Sequence, residues 1–158
     1  VLALVAWGLW ETRSITNPVT LFTEEADLAA VQWVGENTPP DSQFFINTIH
    51  WQNGVYRGVD GGWWILPLTG RSTLVPPTMY ILGELDYALQ INDWGARAAV
   101  LEACSEDMWA LFREAGVDYV YVRDGVGSLR APELAGCEGM EVVYTQQGVH
   151  IYQVSVLE

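Results

Sequence analysis

Ser105-Glu106-Asp107-Met108-Trp109-Ala110-Leu111-Phe112-Arg113-Glu114-Ala115-Gly116-Val117-Asp118-Tyr119-Val120-Tyr121-Val122-Arg123 changes its hydrophobic period in mid-course, and that change decides the fold class. In its first half Met108, Leu111, Phe112 and Ala115 recur at helical spacing. Ser105 suits the N-cap, Glu106 and Asp107 complement the helix dipole, and Gly116 stands where the helix must stop. In its second half Tyr119-Val120-Tyr121-Val122 is rich in β-formers and reads as a strand over Asp118 to Arg123. A helix running straight into such a strand is one half of a parallel crossover. The expected class is therefore α/β, a single domain with a mixed, partly parallel sheet flanked by helices.

Downstream, Met140 to Tyr144, a turn at Thr145-Gln146-Gln147-Gly148 and then Val149 to Val156 read as a C-terminal β-hairpin at one sheet edge. Upstream, Thr23 before Glu24 and Glu25 suits a helix N-cap, and Ala26, Ala29, Ala30, Trp33 and Val34 continue the helical spacing. That helix should end near Asn37, because Thr38-Pro39-Pro40 removes donors and forces extended backbone. Ser42 to Ile49 is the next expected strand, central in the sheet beside Asp118 to Arg123. From His50 to Pro77 no long periodic element is visible and five glycines intervene. Trp63 to Leu66 and Ser72 to Val75 are short strand candidates there, and Tyr80 to Ala103 reads as one or two helices.

At the other end, Val1 to Trp10 is apolar and closes on Trp7 and Trp10 ahead of Glu11 and Arg13, with no basic segment before it. It is too short to cross a bilayer, which takes about 20 residues. Residues 1–12 read as the end of a transmembrane helix, or as an apolar lead-in whose alternative is a buried first helix or strand. A polar connector with Asn17-Pro18 leads into the soluble domain, residues 13–158.

Composition narrows the function. Seven basic residues, all Arg, stand against twenty acidic ones, giving a formal net charge of −13. Nucleic acid, which is bound by clustered Lys and Arg, is an excluded partner. Eight Trp and seven Tyr form a large aromatic load, part of which belongs at a contact surface. Cys104 and Cys137 lack zinc-site spacing. They form either one disulfide or two unpaired thiols.

Catalytic motifs are missing. The histidines are His50 and His150, no Gly-x-Ser-x-Gly elbow or Gly-x-Gly-x-x-Gly loop occurs, and a Walker loop needs a Lys that the chain lacks. The expected catalytic set is none, the expected metal set none, and no cofactor is expected. The most site-like stretch is Asp60-Gly61-Gly62-Trp63-Trp64-Ile65 with Leu68-Thr69-Gly70-Arg71-Ser72-Thr73-Leu74. A guanidinium can fork onto a carboxylate or phosphate, and Trp faces can pack on a sugar ring. The candidate binding residues are Asp60, Trp63, Trp64 and Arg71, with His50, Trp51 and Tyr80 as neighbours. The competing reading pairs Asp60 with Arg71 inside the domain and puts both Trp rings in the core.

The order of helix, Asn37-Thr38-Pro39-Pro40-Asp41-Ser42, strand, Asp60-Gly61-Gly62-Trp63-Trp64-Ile65 and Leu68-x-x-Arg71-Ser72-Thr73-Leu74 resembles the start of the C-terminal soluble domain of oligosaccharyltransferase catalytic subunits. It is more similar to the C-terminal extracytoplasmic domains of bacterial multi-span GT-C-class glycosyltransferase-like membrane proteins. Ala115-Gly116-Val117-Asp118-Tyr119-Val120-Tyr121-Val122 and Val149-His150-Ile151-Tyr152 look similar too. In the first family a Trp-Trp-Asp-Tyr-Gly signature helps to hold the acceptor peptide; here Tyr56-Arg57-Gly58-Val59 precede Asp60 instead.

The resemblance implies a membrane-anchored module on the extracytoplasmic side of a glycosyltransferase that uses polyprenyl-phosphate-linked sugar. Its partners would be the transmembrane part of the same polypeptide and the lipid-linked sugar or acceptor. The family's catalytic acid lies in a loop between N-terminal spans, so this domain would shape a substrate site without performing the chemistry. The rival expectations are a stand-alone extracellular binding or assembly domain and, more remotely, a hydrolase using acids such as Asp60 and Glu84.

Overall fold

A computed structural model describes residues 2–12 and 23–155; the connector with Asn17-Pro18 and the end of the last expected strand at Val156 lie outside them. The elements, in chain order, are α1 (Leu2–Thr12), α2 (Glu25–Asn37), β1 (Gln43–Ile46), β2 (Thr48–Gln52), β3 (Val55–Gly58), a 3-10 turn (Gly61–Trp64), α3 (Ile65–Thr69), β4 (Ser72–Thr73), a second 3-10 turn (Thr78–Leu82), α4 (Leu85–Ala98), α5 (Glu106–Ala115), β5 (Tyr119–Arg123), α6 (Ala131–Leu134), β6 (Met140–Gln146) and β7 (Val149–Val154).

Five strands form one mixed sheet in the order β4-β1-β5-β7-β6, with β1 parallel to both β4 and β5, and β7 antiparallel to β5 and β6. The two strands expected to be central are central, and the C-terminal hairpin lies at one edge. Side-chain alternation along the strands sorts the core into two layers. Phe44, Ile46, Tyr119, Tyr121, Val149 and Ile151 pack on one face with Ala26, Ala30, Val31 and Val34 of α2. Phe45, Val120, Val122 and Tyr152 point the other way, onto Met108, Leu111 and Phe112 of α5. A sheet covered on both faces is the environment in which near-continuous apolar strands such as Tyr119-Val120-Tyr121-Val122 are stable.

Helix α5 follows its sequence signals: the Ser105 hydroxyl accepts from the Met108 N–H at 3.1 Å, and Gly116 takes the left-handed conformation at φ 65°. Helix α2 begins one residue later than Thr23 suggests. Glu24 is its N-cap, and its backbone N–H donates to Asp27 Oδ2 at 2.7 Å. The acid that satisfies the helix start thus comes from inside the helix, as in a capping box.

The expected strand over Ser42 to Ile49 is broken at Asn47. That side chain is buried, donating to the Leu129 carbonyl at 2.9 Å and accepting from the Leu129 N–H at 3.0 Å, which ties the end of β1 to the loop after β5. Beyond it the chain leaves the sheet. Residues 48–58 form a separate antiparallel hairpin whose turn, Asn53-Gly54, has left-handed φ angles of 50° and 77°. Asn-Gly is the dipeptide such two-residue turns demand, so this part of the expected loop was legible as a hairpin.

Trp63 to Leu66 is helical, not a strand, because Asp60 Oδ1 accepts from the Gly62 N–H at 3.0 Å and starts a turn that α3 continues. Ser72 and Thr73 do form a strand, paired to Gln43 and Phe44. Tyr80 to Ala103 resolves into the end of the second 3-10 turn, helix α4 and a loop. In that loop Cys104 is disulfide-bonded to Cys137, with Cα atoms 5.2 Å apart. The bridge joins the α4–α5 loop to the segment after α6. By the chain-entropy argument a crosslink of this span contributes about 3–4 kcal/mol.

Helix α1 spans 11 residues, and its side chains Leu4, Val5, Trp7 and Trp10 are exposed. Among the described residues no helix is long and apolar enough to cross a membrane.

Candidate functional site

The seven residues singled out from sequence fall into three environments. Asp60 lies in the interior, 2% exposed, at the start of its 3-10 turn. Arg71 sits elsewhere in the hydrogen-bond network: one terminal nitrogen donates to the Thr69 carbonyl at 2.7 Å, and the other to the Gly35 and Thr38 carbonyls at 2.9 and 2.8 Å. These carbonyls close α2 and α3, where helices leave acceptors unsatisfied. Both terminal nitrogens therefore hold backbone, and Arg71 is neither paired with Asp60 nor presented as an anion clamp. Of the two Trp rings, Trp63 is half-buried and lies against Gly58 of β3, while Trp64 is exposed.

Arg71→Ala is accordingly expected to lower stability. Three helix-terminal carbonyls would lose a charged donor in a half-buried setting, a loss of about 2–3 kcal/mol. A thermal melt reads it as a drop of several degrees, and an unchanged melt would contradict the capping role.

His50, Trp51 and Tyr80 form the third environment, around the β2–β3 hairpin. The hairpin packs against α4 and the second 3-10 turn. The Tyr80 hydroxyl accepts from the Tyr56 N–H at 3.2 Å and donates to Asn92 Oδ1 at 2.5 Å, and the Thr48 hydroxyl donates to the Gly95 carbonyl at 2.9 Å. Gly95 is required for this fit: a Cβ there would lie 2.5 Å from Tyr56 Cβ. His50 is exposed, accepts weakly from the Gly54 N–H at 3.3 Å and meets the Tyr56 ring edge-on.

The residues missed in the sequence are those around Asp60. Asp27, with a side chain 0% exposed, accepts from the Tyr121 hydroxyl at 2.6 Å, from Arg123 Nη1 and from the Glu24 N–H. Arg123 also reaches Glu24 Oε2 at 2.6 Å. Gly61 and Gly62 press into this knot; a Cβ on Gly61 would lie 2.2 Å from Asp27 Cβ, and one on Gly62 2.9 Å from the Tyr121 ring. The Gly-Gly pair is thus explained by close packing against α2 and the sheet.

Burial sets the electrostatics. It pushes the Asp60 carboxyl up to about 7, reinforced by nearby Asp27 and opposed by the Gly62 N–H and by Arg123. Burial, then Asp60 and Asp27, hold the Tyr121 hydroxyl far above the usual phenol range, so it remains a donor. Burial alone would lower the Arg123 guanidinium, but Glu24 and Asp27 more than offset it and the net shift is upward.

A carboxyl titrating near neutrality beside a second acid is the sort of pair that performs acid–base chemistry when a substrate can touch it. Here both side chains are sealed. Their chemistry is structural, fastening α2 and the Gly61–Trp64 turn to β5. Asp60 is out of reach for the hydrolase reading, and Glu84 stands exposed at the start of α4. Among the described residues no group of three or more His, Cys, Asp and Glu side chains is placed to hold a metal ion.

The fold leaves one largely apolar segment exposed. Residues 81–87, Ile-Leu-Gly-Glu-Leu-Asp-Tyr, are all exposed, with Leu82 at 73% and Leu85 at 71%, and Met79 and Leu89 continue the surface on either side. Trp51, on the hairpin packed against α4, is exposed as well. Contiguous exposed apolar side chains of this size mark contact surfaces. Period reasoning assigned the segment to a helix but gave no means of telling which apolar positions face out. Compared with protein-family models and with curated proteins, the chain matches none.

Proposed function

We propose that this domain is a non-catalytic extracytoplasmic module of a membrane glycosyltransferase that uses polyprenyl-phosphate-linked sugar, and that it contributes a contact surface to the substrate or acceptor site. The observation that carries the reading is the contrast between the two environments. The titratable Asp60 and Asp27 are sealed inside, whereas Trp51 of the hairpin, Met79 and Leu82 of the Thr78–Leu82 turn and Leu85 and Leu89 of α4 stand open. Exposed His50, Glu84 and Asp86 lie along this surface but in no enclosed pocket with a nucleophile, and its exposed leucines suit binding to prenyl chain or transmembrane helices better than chemistry. The Cys104–Cys137 disulfide supports an oxidising compartment. The sugar-transfer part is supported by the order of motifs through Asp60-Gly61-Gly62-Trp63-Trp64 and Arg71-Ser72-Thr73-Leu74.

The test uses the full-length polypeptide reconstituted in vesicles with a radiolabelled polyprenyl-phosphate sugar and an acceptor. Transfer is expected, and Trp51→Ala with Leu85→Ser is expected to reduce it about tenfold while the melting temperature stays within a few degrees. Absence of transfer by the unsubstituted protein would sink the reading in favour of a stand-alone binding or assembly domain. Transfer indifferent to both substitutions would remove the surface from it.

A further inference from the structure

The exposed residues around Leu82 form a spur. Pro76 and Pro77 lead into the Thr78–Leu82 turn, Gly83 ends it, and α4 then starts on exposed Leu85. Its inner side is anchored: Tyr80 is buried and bonded to Tyr56 and Asn92, while Ala88 and Ile91 pack beneath the hairpin. Its outer side carries Met79, Leu82, Leu85 and Leu89, with Tyr87 and Trp51 also exposed. An anchored loop that holds Leu82 and Leu85 more than two-thirds exposed favours an apolar medium, since each such side chain gains by leaving water.

The charge pattern identifies that medium. Between Val75 and Asn92 the charged residues are Glu84 and Asp86, in a chain of formal net charge −13. An anionic headgroup layer would repel the spur, and a second copy would bring the same two acids and the same net charge against it. A neutral bilayer interface suits it, with Trp and Tyr at headgroup depth and leucines below. A second, independent feature agrees: the largely apolar helix α1 exposes Leu4, Val5, Trp7 and Trp10, its two Trp lying in the half nearer Thr12. The 12 residues from 13 to 24 reach at most about 40 Å, so a bilayer that receives α1 is within range of the folded domain.

We propose that the spur formed by the Thr78–Leu82 turn and the first turns of α4 inserts into the interface of an electrically neutral phospholipid bilayer, holding the domain against the membrane face. This rests on the membrane-side placement given above, though not on sugar transfer. It assigns the partner of that surface as lipid.

The test uses the whole chain with phosphatidylcholine vesicles, reading flotation and amide hydrogen exchange over residues 78–90. Vesicles are expected to slow exchange in that segment several-fold. Leu82→Asp with Leu85→Asp is expected to abolish the slowing and cut the floating fraction about fivefold, the remainder being held through α1. Val100→Asp, an exposed apolar position in the turn just past the far end of α4, is expected to leave both readouts as in the parent. Unchanged exchange over 78–90, or equal flotation of the double variant, overturns the proposal. So does tighter binding to phosphatidylglycerol than to phosphatidylcholine, or a lipid-free dimer in light scattering that the double variant dissociates. Vesicle insertion without glycosyl transfer would overturn the transferase reading alone, and transfer without insertion would overturn this inference alone.

Discussion

Asp27→Ala is expected to destabilise the domain by about 3–5 kcal/mol, enough to lower its melting temperature by roughly 10–20 °C. The carboxyl is sealed between α2 and the sheet and accepts from Tyr121, Arg123 and the backbone N–H of Glu24, the N-cap of its own helix. Removing it leaves the Arg123 guanidinium, itself only 19% exposed, facing Glu24 alone, and leaves a buried phenol without an acceptor. Breaking one member of a buried charged network costs far more than the network's net contribution, because the remaining groups stay desolvated. Glu24→Ala is the contrast. Its side chain is 62% exposed in the same network, so its loss is worth about 1 kcal/mol or less. Paired urea titrations would separate the two, and equal small losses would show that the knot does not hold α2 in place.

Stability is also expected to fall as pH rises from about 4 to about 7, through Asp60. Its folded carboxyl is pushed up to about 7 from an ordinary value of 3.8. In that window the folded state therefore binds a proton that the unfolded state has released, and stability decreases with pH. The advantage of the buried, neutral acid is complete below the unfolded value and is lost as pH passes through the folded one. A shift of about 3 units corresponds to about 4 kcal/mol across the window. Asp60→Asn keeps an oxygen for the Gly62 N–H but cannot titrate. The stability difference between parent and variant should change by several kcal/mol from pH 4 to pH 8 and then level off. A difference that stays constant over that range would mean the carboxyl does not meet the burial seen here.

Both predictions concern residues whose importance the sequence showed unequally. Asp60 stood out because it precedes two glycines and two tryptophans. Asp27 did not, although it shares the helix face of Ala30, Val31 and Val34, and an acid on an apolar stripe asks for a buried donor. Arg123, closing the apolar run of β5, was the matching signal ninety-six positions away. Nothing local connects two residues so distant. Arg71 illustrates the converse. Its proximity in sequence to Asp60 suggested a pair or an anion clamp, yet its donors found the carbonyl ends of α2 and α3, which local reasoning treats as satisfied elsewhere.

The sequence by itself determined the α/β class, the order of α2, α5 and β5, the caps of α5, the C-terminal hairpin and the central place of β1 and β5. It did so because apolar period, caps and turn residues act over a few positions and here agree with one another. Only the tertiary structure decided that β1 stops at Asn47, that Gly61 and Gly62 are pressed against Asp27 and Tyr121, and that Leu82 and Leu85 face water. Those outcomes depend on which surfaces meet across the chain, and a period tells which residues share a face without telling what that face is placed against.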